Sequence, residues 1–149
     1  MKRLAIVAMV VILVAATGST ALAARRPGSG AGKASLYNTA EGFDCEAGAT
    51  DLSDGPYGFV VMNASAADKL IVVVSLKGAT PKTTYDLWIN QDPGGCPLSE
   101  PTAVGVLKTN IRGNGNATLK VAKLEGAIHF WVSAVGEEQL LRSPSVVLD

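Results

Sequence analysis

Between residues 70 and 90 the chain reads LIVVVSLKGATPKTTYDLWIN, and its apolar positions recur at period two. Leu70, Val72, Val74 and Leu76 share one face of an extended strand, and Ile71, Val73, Ser75 and Lys77 share the other. Both faces are apolar at the start, which predicts a central strand covered on both sides for part of its length. Gly78, Ala79, Thr80 and Pro81 break the pattern. A second strand follows, with Thr83, Tyr85, Leu87 and Ile89 toward the core and Thr84, Asp86, Trp88 and Asn90 away from it. Three consecutive valines, a glycine, a proline and two adjacent threonines argue against a helix here. The two strands read as the central pair of the fold.

Similar short patterns fill the rest. Residues 35–38 predict a short first strand, and 58–63 (GFVVMN) the next. Residues 103–109 predict another, and the Asn- and Gly-rich NIRGNGN at 110–116 predicts a hairpin turn returning into 117–121. In the following strand Ile128, Phe130, Val132 and Ala134 face inward, and His129, Trp131, Ser133 and Val135 outward. Residues 140–148 close the chain, and Pro144 within them suits an edge strand or a bulge. Seven or eight short strands, with turn signals between them and no helical pattern, predict an all-β, antiparallel β-sandwich of the immunoglobulin or fibronectin III type. A small closed barrel is the alternative.

The N-terminus sets the compartment. Lys2 and Arg3 precede an uncharged apolar run at 4–16, and Ala21-Leu22-Ala23 is a small-x-small cleavage signal. Together they predict a secretory signal peptide over 1–23. An uncleaved membrane anchor is the lesser alternative, because the run is short of the about 20 residues a span needs. Residues 24–34, ARRPGSGAGKA, read as a flexible linker, and 35–149 as one domain. The linker imitates a phosphate-binding loop, but Pro27 stands where the first glycine belongs and Ala34 where Ser or Thr would hold the metal. Removing Lys2 and Arg3 leaves 11 basic against 13 acidic residues, a net charge near −2. Such a chain has no basic footprint for nucleic acid. It also implies no membrane contact once the signal is cut, and its oligomeric state stays open.

Cys45 and Cys96 are the only cysteines. An exported chain with an even count predicts a structural disulfide, which the chain-entropy view values at about 4 kcal/mol. A redox or metal pair lacks a C-x-x-C motif and has only one histidine to draw on. The acidic loop EGFDCEAGATDLSDGPY offers Asp44, Glu46, Asp51 and Asp54 as calcium ligands, although their spacing departs from the helical calcium loop. A solvated surface loop is the plainer reading. No other metal site and no cofactor are indicated, since a single His129 cannot build a multi-histidine centre. Two N-x-[ST] sequons begin at Asn63 and Asn116.

Residues 76–85, LKGATPKTTY, resemble the L-x-P-x-T-x-Y turn of fibronectin type III-like sandwiches. The segment Gly105-Val106-Leu107-Lys108-Thr109-Asn110, followed by Gly113-Asn114-Gly115-Asn116-Ala117, resembles a hairpin of CHRD-type domains and similar small exported β domains. These stretches span about a third of the mature chain. They imply a sandwich and export, and no catalytic residue. Cu/Zn superoxide dismutase shares a sandwich of this general kind, but its histidine ligands have no counterpart here.

The functional expectation is a secreted, non-enzymatic binding or structural module, with an unknown protein or glycan partner. The candidate ligand face carries Trp88, Trp131 and His129, since aromatic rings beside polar groups suit such contacts. The bland alternative, preferred because Trp is mostly buried, is that a second layer covers these rings. A carbohydrate-binding module using exposed Trp is the second functional reading. A hydrolase is the third, built on Asp44, Glu46, Asp51 or Asp54 converging with Asp92 or Glu100.

Overall fold

The computed structural model describes residues 30–39, 54–65, 68–92 and 104–148. These form ten strands: β1 (Ala31–Ser35), β2 (Tyr37–Asn38), β3 (Gly58–Ser65), β4 (Lys69–Leu76), β5 (Thr84–Asp92), β6 (Gly105–Lys108), β7 (Gly115–Ala122), β8 (His129–Val135), β9 (Leu140–Arg142) and β10 (Val146–Val147). Among the described residues there is no helix. A four-stranded sheet runs β1-β3-β4-β7; a six-stranded sheet runs β2-β9-β8-β5-β6, with β10 also beside β8. Every pairing is antiparallel.

The two sheets bury their alternating apolar positions in one sandwich-like core. Val60, Met62, Leu70, Val72, Val74 and Leu76 come from the first sheet, and Tyr85, Leu87, Ile89, Phe130, Val132 and Leu141 from the second, each at 0–1% exposure. The inward faces of β4 and β5 are those the alternation predicts. In β8, Phe130, Val132 and Ala134 face the core as expected, but Ile128 is 47% exposed and Ala127 takes its place inside.

The pairing differs from the sequence expectation. β4 and β5 lie in different sheets, so 70–90 is a crossing between layers and not a hydrogen-bonded pair. The Asn-Gly turn also joins two sheets: β6 pairs with β5, whereas β7 pairs with β4. Its local chemistry is as read, since the Asn110 side chain accepts from Arg112 N at 2.8 Å and from Asn114 N at 3.1 Å. Such turn residues fix a local reversal and carry no information about which strand lies beyond it.

The chain also crosses between layers at Leu36, fully buried between β1 and β2. Leu36 N donates to Gly58 O at 3.0 Å, and Tyr57 N donates to Leu36 O at 2.8 Å. The domain thus begins before residue 35: Ala31 to Ala34, expected as linker, are paired with β3. Gly32 serves close packing there, since a Cβ on it would stand 1.9 Å from Val146 Cγ1. Pro144 splits the last segment into β9 and β10, both beside β8. Ser143 spans the break: its N donates to Val132 O at 2.9 Å, and Val132 N donates to Ser143 Oγ at 3.0 Å.

Candidate functional site: the outer face of the four-stranded sheet

The sequence-derived candidates are dispersed. Asp44, Glu46, Asp51, Glu100, Cys45 and Cys96 lie outside the described residues, as do residues 1–23. Asp54 lines an open cleft of about 460 Å3 with Asn38, Glu137 and Glu138 beside the β8–β9 turn. Its carboxylate accepts from Asn38 Nδ2 at 3.1 Å and from the Tyr57 hydroxyl at 2.7 Å. Among the described residues, no three His, Cys, Asp or Glu side chains stand close enough to share a metal ion. Asp92 pairs with His129 at the start of β8, whereas Asp54 lies beyond its end. Six residues of strand, about 20 Å, separate those ends, so Asp54 and Asp92 do not converge as a carboxylate pair.

The Asp54 contact has a measurable consequence. The hydrogen bond to the carboxylate, then burial and the neighbouring negative charge, raise the Tyr57 phenol above 10.0. A raised folded-state value stabilises the protonated form, so this contact supports the fold below the unfolded tyrosine range and is lost as pH climbs through the folded value. Phenolate absorbance should therefore show one tyrosine titrating late, and Asp54→Asn should bring it down. An unchanged titration in that variant would remove the contact as the cause.

On the outer face of the six-stranded sheet the preferred reading, a covered ring, holds for Trp131, which corrects its place on a candidate ligand face. Trp131 is outward by alternation, yet only 1% exposed, and the Arg142 guanidinium stacks 5.4 Å from its ring centroid. Beside it Asn90 and Ser133 are buried and joined at 3.3 Å. Alternation assigns a residue to a face; it does not say whether that face is covered. Trp131 is therefore no platform for a ligand, while Trp88 is half-buried. His129 is half-buried too, with Ser145 Oγ 3.4 Å from its Nδ1. That distance exceeds the about 2.6–3.2 Å of a working base and nucleophile.

The opposite face of the molecule shows a different organisation. Cross-strand register builds it in rows: Ser35, Phe59, Ser75 and Asn116; then Lys33, Val61, Val73 and Thr118; then Ala31, Asn63, Ile71 and Lys120; then Ser65, Lys69 and Ala122. Phe59, Val61, Ile71 and Val73 form an apolar centre on the two inner strands and are half-buried, against 0% for their inward neighbours Val60, Val72 and Val74. Lys33, Lys69 and Lys120 rim it and are exposed. Lys33 Nζ sits 4.3 Å from the Phe59 ring centroid, a cation–π contact at the border of rim and centre. Both sequon asparagines, Asn63 and Asn116, also stand on this face.

This face departs from polar-out alternation in a way that the continuous apolar run of β4 encodes. IVVV in β4 predicts a strand covered on both sides for part of its length; the inner side is covered and the outer side is half open. The signal was legible in the sequence, but without the pairing of β3, β4 and β7 the lysines could not be placed around it. No known protein family, curated protein or solved structure matches the chain.

Proposed function

We propose that the chain is an exported, immunoglobulin- or fibronectin III-like module without enzymatic activity, acting outside the cell by binding through the outer face of its four-stranded sheet. The observation that carries this is the half-open apolar centre of Phe59, Val61, Ile71 and Val73 ringed by lysines. Interaction surfaces combine such an apolar centre with a polar rim. The finer fold reading is supported by Tyr85 at the start of β5. Its hydroxyl accepts from Thr80 N at 3.1 Å, the back-reaching contact typical of a tyrosine corner. Export and the Cys45–Cys96 bridge remain part of the proposal on the strength of the N-terminal pattern and the cysteine count.

The test replaces the apolar centre without altering strand propensity. Val61→Thr with Val73→Thr keeps β-branching at both positions and removes the apolar surface. The double variant should melt within a few degrees of the native chain. It should also lose about tenfold or more of the protein retained on the washed surface of the producing cells, since two buried valines contribute over 1.4 kcal/mol. Equal retention of native and variant chains would show that binding does not use this face.

A further inference from the structure

From the charge carried by that face we infer that its partner is an anionic lipid surface, on which the four-stranded sheet lies flat. This rests on the binding-face reading above and names its partner. The strands of that sheet, β1, β3, β4 and β7, hold three lysines and no acidic residue. The chain as a whole has equal numbers of acidic and basic residues, whereas these strands carry cations alone and Asp86 and Asp92 stand on β5. Among the described residues, Asp68, next to Lys69 in the β3–β4 turn, borders the face with negative charge.

The lysines are spread and not clustered. Lys33 on β1 and Lys120 on β7 stand three strand spacings apart, about 14 Å, with Lys69 at one end of the sheet between them. A wide basic rim around aliphatic side chains suits a plane of anionic headgroups, where each lysine adds attraction and the centre meets the acyl boundary. It suits a second copy of the chain poorly, because a face-to-face pair would set lysine rims against each other. It also lacks an open aromatic ring for sugar stacking, since Lys33 lies over Phe59.

The chain that precedes β1 points the same way. β1 is an edge strand of this sheet, and residues 1–29 precede it in the sequence. They hold Arg25 and Arg26 close to β1, and farther off the apolar run at 4–16 behind Lys2 and Arg3. With the signal removed, two more cations remain in the sequence that leads into β1; with it retained, the apolar run is the membrane-anchor alternative. The contact is peripheral, so it adds a membrane partner to a chain whose sequence implied none after cleavage.

The experiment uses the chain recovered from the exported fraction, with its N-terminus read by mass spectrometry. Sedimentation with phosphatidylcholine vesicles is compared with vesicles holding about a quarter phosphatidylglycerol, in low and high salt. The native chain should bind the anionic vesicles, and salt should release it. Lys33→Gln, Lys69→Gln and Lys120→Gln combined should weaken this binding roughly a hundredfold at unchanged melting temperature, from about fivefold per lysine. Equal binding by the triple variant, equal binding to neutral vesicles, or capture by a heparin column in place of vesicles would each overturn the lipid assignment. If the three lysines are nonetheless shielded on the producing cells, the binding-face reading survives that failure; if they are not, both fall together.

Discussion

Replacing Gly58 by alanine should cost about 4 kcal/mol of stability, from overpacking against a neighbouring strand and an unfavourable backbone conformation together. Gly58 opens β3 at φ 131°, a backbone conformation that side chains rarely adopt. A Cβ there would stand 2.0 Å from Ser75 O and 2.9 Å from Leu76 Cα, both backbone atoms of β4. No rotamer change relieves a clash with backbone, so β3 and β4 would have to part where Gly58 O also receives Leu36 N. Gly78 provides the control. Its φ is 66° with nothing within 4 Å of an added Cβ, so Gly78→Ala should cost only about 1 kcal/mol. Urea unfolding of the two variants measures the difference. Equal costs would mean that β3 does not meet β4 at Gly58.

The second large effect is at Tyr85, fully buried at the start of β5. Its hydroxyl donates to Gln139 Oε1 at 2.6 Å, and the same oxygen accepts from Thr80 N at 3.0 Å and Thr80 Oγ1 at 3.2 Å. Thr80 O in turn accepts from Thr109 Oγ1 at 2.7 Å. The network therefore joins the β4–β5 crossing, the β6–β7 crossing and the β8–β9 turn at one end of the molecule. Tyr85→Ala should destabilise by about 4 kcal/mol, the cost of deleting a buried ring and leaving its cavity. Tyr85→Phe keeps the ring and should cost about 1–2 kcal/mol, because Gln139 and Thr80 retain each other. A cycle with Gln139→Ala should show coupling of about 1 kcal/mol between the two side chains. Additive losses would mean that the hydroxyl and the amide act independently.

These two sites also show where the sequence stops being readable. The faces of β4 and β5 followed from alternation alone, because side chains at period two must choose between core and outside. The sheet to which each strand belongs did not follow. The crossings at Gly78 to Thr83 and at Thr109 to Asn114 use the same glycine, proline and asparagine chemistry as hairpins within one sheet. The long-range contact that distinguishes them, Tyr85 to Gln139, joins residues 54 positions apart. Gly32 misled for a related reason: a glycine needed for the close approach of Val146 looks, in sequence, like a glycine in a linker. Trp131 was placed on its face correctly and is nonetheless buried, since cover on the outer side of a sheet leaves no periodic mark. The β4 half of the apolar centre was visible as the IVVV run, whereas its β3 partners and its lysine rim are assembled only through register.

The central claim, that the four-stranded sheet binds through its outer face, is tested most directly by amine labelling of the chain on its producing cells. Lys33, Lys69 and Lys120 rim the face, while Lys82 and Lys108 are exposed elsewhere and serve as internal references. Mass spectrometry of labelled peptides should show the three rim lysines protected several-fold relative to the purified chain, with Lys82 and Lys108 labelled equally in both states. Uniform labelling of all five in both states would contradict a bound face and leave the half-open apolar centre without a partner.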